Sequence, residues 1–497
     1  MDRQRWQNHC GVVSLQGMTQ TKPTHPLEIG VPYPLFDCFM DHEGTYLAPA
    51  AVADRRWFER ARFGMMVHWN HSSLLAREIS WTMQFPEDIG RPRLAMAEYE
   101  ALAARFNPVE FSAKTWVELA QQAGMGYLLF VVKHHDGFAM WDTKTSDYKI
   151  TRTPFGRDIC REIADACHAA GMPLGWYYSP ADWWHPASRS ADWDTYVPYM
   201  QAQLLELMTG YGHIDILSFD FWSPACKHPS WEGFYRDLRR RCPRYLHSRG
   251  TPWASGDYEV FEHVAPYFRD PRSSTWNGIE APGGYRSRMT CADQFETMLS
   301  IQPRRWSYWN GVAKPLATCV DSLVDCVSHG GNLTLNVTPD ALGSIPPEQT
   351  QRLREIGAWM STHGEAIVGT QGGPLLPILI AKAPADAVPG YVPDMLGGGG
   401  VRPRGSHCRA ATTSSGHRLY LHVWPGITHP VVDLPPEVAQ VAIHCRRLGG
   451  GVLPSTTVDG WLHVAVPQES GPMATFVVEL SIPAAELPQV AFRIRPG

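Results

Sequence analysis

YLLFVVKHHDGF, residues 127–138, runs from an unbroken apolar stretch straight into Lys133, His134, His135 and Asp136. An apolar run of this length suits a strand buried on both faces, as in a parallel sheet covered by helices. The abrupt polar end suits a strand whose carboxyl end opens on a site. The pattern recurs. PLGWYYS (173–179) ends in Tyr177, Tyr178 and Ser179, DILSFD (215–220) ends in Asp220, and FGMMVHW (63–69) ends in His68 and Trp69. NLTLNV (332–337) is a further short run of the same kind.

Helical patterns lie between these strands. Ser112 is placed to N-cap a helix carrying Trp116, Leu119 and Ala123 that stops at Gly124. A helix opening near Asp158 puts Ile159, Ile163, Ala166 and Ala170 on one face and ends at Gly171. Residues 194–209 form another, and 346–363 opens on two prolines. Repeated strand–helix units over about 300 residues predict an α/β fold, a (β/α)8-like barrel followed by a C-terminal β-sandwich. A doubly wound sheet is the alternative. The expected division is 1–50 as an N-terminal extension, 51–370 as the barrel, 371–406 as a Pro- and Gly-rich linker and 407–497 as the sandwich.

The whole chain has 497 residues, enough for two or three domains, with a formal net charge of -5. That balance gives no reason to expect nucleic acid as a partner. No apolar run is long enough to span a membrane. The first residues, MDRQRWQNHCGVVSLQGM, lack the apolar core of a secretory signal, so a cytoplasmic protein is expected unless the true start differs. The cysteines are odd in number, 11, with no C-x-x-C spacing, and read as small buried thiols. Whether the 19 Trp fill cores or form platforms for sugar rings depends on where they sit.

In a barrel the carboxyl ends of the strands converge. Imidazoles and phenols hydrogen-bond hydroxyls, indoles cover the apolar face of a sugar ring, and a carboxylate supplies chemistry, so these ends suit a neutral polyol. The adjacent His134 and His135 raise a metal reading. Against it stand the absence of H-x-H or H-E-x-x-H spacing and the rule that neighbours on a strand point to opposite faces.

Taken together, RFGMMVHW (62–69), KHHDGFAMWDTKTSDY (133–148), GMPLGWYYSPADWW (171–184) and GGNLTLNVTP (330–339) resemble the α-L-fucosidases, family twenty-nine of the glycoside hydrolases. The resemblance spans 62–370 and implies release of terminal α-L-fucose, or a closely related sugar, from fucosylated oligosaccharides or glycoconjugates by a retaining double displacement. It implies Asp220 as nucleophile and His68, Trp81, His134, His135, Tyr177 and Arg249 as sugar contacts, with no cofactor and no metal. A homo-oligomer is left open. For the acid/base, the gapless GDYEVFEH (256–263) favours Glu262; Glu296 of QFET, beyond an insertion, is the alternative, and Glu259 a third. Ser80 stands where relatives have Glu and Ser218 where they have an aromatic. These two departures raise an α-L-galactosidase-like specificity, or a sugar-binding relative without catalysis, as rival readings.

Overall fold

The computed structural model describes residues 50–496, apart from 85–86, 89–90, 221–222, 249–255, 263–274, 277–278, 281–293, 304, 379–409, 426–428 and 467–470. Of the expected sites, Arg249 lies outside the described residues, as do the N-terminal extension up to residue 49 and most of the linker.

Eight parallel strands form the central sheet: β1 (Phe63–Val67), β2 (Leu128–Lys133), β3 (Leu174–Tyr178), β4 (Ile216–Phe219), β5 (Leu246–His247), β6 (Glu259–Glu262), β7 (Phe295–Ser300) and β8 (Asn332–Val337). Each pairs with its neighbours in chain order, and β1 pairs with both β2 and β8. The one join not made by a ladder is β5 to β6, where a single parallel bridge, Ser248 to Tyr258, brings the two edges together. The barrel-like sheet is therefore curled into a ring with a seam.

Helix α1 (Val52–Ala61) precedes the sheet. The longer helices that follow among the described residues are α2 (Ala113–Gln122), α3 (Ile159–Ala170), α4 (Trp193–Gly210), α5 (Ser230–Arg241), α6 (Leu316–Ser328) and α7 (Pro347–His363). Among the described residues no helix joins β5 to β6 or β6 to β7. The caps are those the sequence names. Ser112 accepts from the Thr115 amide and Asp158 from the Arg161 amide, while Gly124 and Gly171 take positive φ just past the ends. The buried face of α3 is rotated from expectation. It carries Ile159, Cys160, Ile163, Ala164 and Cys167, and Ala170 is exposed. The two cysteines are thus core residues and are free thiols. Trp69, Trp141, Trp176 and Trp231 are also fully buried in the layer between strands and helices.

The barrel interior is not uniformly apolar. On β8, Leu333, Leu335 and Val337 join the outer core, so by strand alternation Asn332, Thr334 and Asn336 point inward. NLTLNV is thus an alternating strand with a polar inner face, not a run buried against apolar groups on both sides. Tyr127 fills the space left by Gly64, where an added Cβ would meet its ring.

The C-terminal region is a sandwich of two five-stranded sheets with a shared apolar core. It begins earlier than expected. Gln371–Gly372 pairs with Ala410–Ser415 in one sheet, and Leu375–Ile378 pairs with Val490–Pro496 in the other. Residues 371–372 and 375–378 therefore belong to the two sheets. Ala411, Trp424 and Met473 carry the first sheet into the barrel's outer core, so the two units share packing.

Helices α2 and α7 cross closely at Gly357, where an added Cβ would fall inside van der Waals contact of the Gln122 carbonyl oxygen. Both partners are backbone on rigid elements and cannot yield cheaply. We expect Gly357→Ala to lower unfolding free energy by about 1–3 kcal/mol, read as a lower urea midpoint at unchanged slope; an unchanged midpoint would show that the crossing can open.

Candidate functional site

Four strand ends meet at the carboxyl rim of the sheet. Asp220 follows β4 directly and is 8% exposed. Its Oδ2 lies 3.4 Å from Nε2 of His134 and 3.5 Å from Nε2 of His135. His68 stands beside them, its ring centre 5.7 Å from that of His134 and 5.7 Å from that of Tyr177. Trp81 meets His135 edge-on at 5.1 Å. Of the expected contacts, His68, Trp81, His134, His135 and Tyr177 are therefore brought together around Asp220.

The two histidines share a target because β2 ends at Lys133, and both fall in the turn beyond it. A register irregularity between Val131 and Lys133 shifts the alternation just before the turn. The opposite-faces argument against a metal applies only inside a regular strand. It fails here, and the two rings lie 4.1 Å apart.

Each histidine is held from behind. Nδ1 of His68 lies 2.8 Å from Oδ1 of Asn336, which also accepts the His68 backbone N–H; the Asn336 amide nitrogen donates to the Trp306 carbonyl. Nδ1 of His135 lies 2.6 Å from the Ser179 hydroxyl, which donates to the Ala181 carbonyl. Nδ1 of His134 lies 2.7 Å from the Ser80 hydroxyl, which donates to Oδ2 of Asp136. In all three cases the partner is an acceptor for the ring, so Nδ1 carries the proton and Nε2 offers a lone pair on the site side. The mouth of the barrel thus presents three imidazole acceptors and one carboxylate, an arrangement matched by a ligand with several adjacent hydroxyl donors.

Ser80 is a structural device. Its φ of 55° and ψ of -50°, with the Trp81 amide 2.5 Å from the Ile79 carbonyl, form a γ-turn of the rare, strained kind. The turn sets the Ser80 hydroxyl under His134 and turns Trp81 toward His135. Asp136 gathers the ends: its Oδ2 accepts from Asn70, Ser80 and Tyr99, and its Oδ1 from the Phe138 amide. Ser218 is likewise fully buried and lies 2.7 Å from the Ser248 hydroxyl. Both serines are thus buried and hydrogen-bonded, Ser80 to His134 and Asp136 and Ser218 to Ser248.

The acid candidates separate by depth. Glu262 is the last residue of β6, with the same inward parity as Val260, which packs in the barrel interior. It therefore faces the same space as Asp220 at the same end. Glu296 does not. It is the second residue of β7 and pairs with Val260, whereas Glu262 pairs with Met298, so it lies two residues, or about 7 Å at about 3.3 Å per residue, deeper than Glu262. Its carboxylate accepts from the hydroxyls of Tyr127, at 2.6 Å, and Thr334. Held by these two hydroxyls toward the amino end of the barrel, this carboxylate braces the interior. Glu259 opens β6 and is also at the amino end.

Trp183, 4.9 Å from His135 and 5.3 Å from Trp81, and Trp306, 5.2 Å from His68, extend the aromatic wall and were not singled out from the sequence. Asn336 was also missed; the alternation of polar residues in NLTLNV is the signal that marks it.

Burial pushes these imidazoles down. His68 falls to about 4, against the opposing effects of Asn336 and Asp220, His135 falls to about 3, and His134 falls well below its usual range. Away from the site, His71 and His422 fall to about 3 and His247 to about 4. An unfolded histidine takes its proton near pH 6.5, so the unfolded chain binds more protons as pH falls from there toward 4. Stability is then full above about 6.5 and declines through that window, by up to about 1.4 kcal/mol per histidine per pH unit. Urea unfolding at about pH 7.5 and about pH 5.5 should differ by more than about 2 kcal/mol. Equal midpoints would contradict the neutral, buried state of these rings.

Comparison with known proteins points one way. A family model described as alpha-L-fucosidase matches residues 42–365. Plasma alpha-L-fucosidase of Rattus norvegicus is 27% identical over 359 residues, covering 64% of this chain and 72% of that one. Tissue alpha-L-fucosidase of Homo sapiens is 27% identical over 348 residues, covering 63% and 69%. Among solved structures, alpha-L-fucosidase isoenzyme 1 from Paenibacillus thiaminolyticus superposes with a TM-score of 0.67 at 28% identity, covering 86% of this chain and 99% of that one. An alpha-L-fucosidase from Bacteroides thetaiotaomicron, solved as a trapped covalent intermediate, gives a TM-score of 0.69 at 20% identity, covering 90% and 99%, a likeness of fold.

Proposed function

The chain belongs to the α-L-fucosidase family, and from that premise we propose that it is a retaining exo-glycosidase acting on terminal α-L-fucose with Asp220 as nucleophile and Glu262 as acid/base. The observation that carries the assignment is the contact of Asp220 with both histidines at the strand ends, with Glu262 facing the same space from across the seam.

In the first step an Asp220 oxygen attacks the anomeric carbon, the bond from that carbon to the leaving oxygen breaks, and Glu262 gives that oxygen its proton. In the second, water attacks the same carbon, Glu262 takes the water's proton, and the ester to Asp220 breaks. Two inversions give net retention, with the two carboxyl groups expected about 5–5.5 Å apart in the complex. The Nε2 lone pairs of His68, His134 and His135 accept from the sugar hydroxyls, while Trp81 and Tyr177 close on the ring. The covalent intermediate trapped in the Bacteroides thetaiotaomicron relative is in keeping with this course.

Asp220→Gly should lose activity on an aryl α-L-fucoside by about 10⁴-fold or more while melting like the parent. A loss under tenfold would sink the assignment.

Glu262→Ala separates the two steps. A poor leaving group needs the acid and a dinitrophenyl group does not, so the loss should be about 10²–10⁴-fold on a natural-type glycoside and much smaller on the dinitrophenyl glycoside. Azide, which needs no deprotonation, should accelerate the variant and yield a glycosyl azide. Glu296→Ala should show neither effect and should instead lose about 1–3 kcal/mol of stability, because the Tyr127 and Thr334 hydroxyls lose their acceptor. Azide rescue of Glu296→Ala alone would reverse the assignment.

A further inference from the structure

The trio of His134, His135 and Asp220 supports a second ligand for the pocket. Nε2 of each histidine lies 3.4 or 3.5 Å from the same carboxylate oxygen, and the three ligand atoms fall within 4.8 Å of one another. A tetrahedral Zn²⁺, with bonds of about 2.0–2.1 Å to nitrogen and oxygen, holds its ligand atoms about 3.3–3.4 Å apart. An octahedral ion with bonds of about 2.0–2.1 Å, such as Mg²⁺, would need edges of about 2.9 Å. The two edges from Asp220 to the histidines fit the tetrahedral ion.

The outer bonds fit it as well. A zinc-binding imidazole donates its far N–H to an acceptor that fixes the ring. Here the Ser80 and Ser179 hydroxyls do so at 2.7 and 2.6 Å, each anchored in turn, by Asp136 and by the Ala181 carbonyl. Both rings therefore aim a lone pair at the carboxylate without rearrangement. Two imidazole nitrogens and one carboxylate oxygen form the three-ligand set of open zinc sites, which leave a fourth position to solvent.

We propose that His134, His135 and Asp220 form a reversible Zn²⁺ site and that the ion is an inhibitor of the enzyme. Asp220 bound through Oδ2 gives its negative charge to the ion, and the ion occupies the lone pairs that would receive the sugar hydroxyls. Zinc and glycoside are then mutually exclusive. The inhibitory effect rests on the functional reading above, whereas binding of the ion does not.

The test uses the full chain, stripped of metal with chelator. Calorimetric titration with ZnCl₂ should show binding at one equivalent. Zn²⁺ should raise the apparent KM for an aryl α-L-fucoside without lowering kcat, and EDTA should restore the parent rate. Co²⁺ in place of Zn²⁺ should give the intense visible absorption of a tetrahedral site. Asp220→Asn and His135→Asn should weaken Zn²⁺ binding at least tenfold. Ser179→Ala, which keeps all three ligands and frees only one ring, should weaken it about 10- to 100-fold without altering the melting temperature by more than a few degrees. His463→Asn, on the sandwich beside Asp433, should bind and respond like the parent. No binding at millimolar Zn²⁺, inhibition that lowers kcat at constant KM, a weak octahedral Co²⁺ spectrum, or unchanged affinity in the Asp220 and His135 variants would each overturn the proposal. Zinc binding with these properties in a protein that cleaves no fucoside would uphold the metal site and reject the fucosidase reading. Cleavage that is indifferent to Zn²⁺ would do the reverse.

Discussion

The rear hydrogen bond on each histidine is the constraint from which the site follows. An imidazole at a barrel mouth can present either a donor or an acceptor, and its tautomer decides which. Asn336, Ser80 and Ser179 each face Nδ1 with a lone pair because each has its own donor engaged elsewhere. The result is a set of three imidazoles and one carboxylate that accept, and such a set discriminates in favour of ligands that bring hydroxyl protons. It also explains why so much of the surroundings is polar and buried. Asp136, Asn70, Tyr99 and the strained turn at Ser80 are there to hold one proton on one nitrogen.

Much of this was legible in the chain. The caps at Ser112 and Asp158 fall where the sequence puts them because an N-cap is a local interaction that involves only the next turn. The strand ends at His68, His134, Tyr177 and Asp220 were legible for the same reason: the switch from apolar to polar is written within a few residues. What the sequence concealed depends on depth or on local departures from regular geometry. The gapless match ranks Glu262 above Glu296 in the sequence, but only strand register shows that Glu262 lies two residues nearer the rim. Ser80 looks like a lost carboxylate until the γ-turn and its three hydrogen-bonding partners are seen. The His pair could not be read by alternation because the strand ends one residue too soon.

The interior of the barrel shows a related economy. Tyr127 reaches into the space left by Gly64, and its hydroxyl joins Glu296 and Thr334 at the amino end. Burial and the neighbouring carboxylate push that phenol well above its usual range, so it remains a donor. Polar chemistry at the base is thus closed on itself, and polar chemistry at the rim is open. The apolar layer between them, which includes Met66, Leu129, Ile216 and Met298, keeps the two apart.

The seam between β5 and β6 divides the ring into two jaws. Asp220 rides on the jaw ending in β5, Glu262 on the jaw beginning with β6, and one backbone bridge at Ser248 and Tyr258 joins them. Every other neighbouring pair of strands is stitched by a ladder. The spacing of the proposed nucleophile and acid/base therefore spans the one join that no ladder holds, whereas the strands carrying the histidine wall are tied to both neighbours.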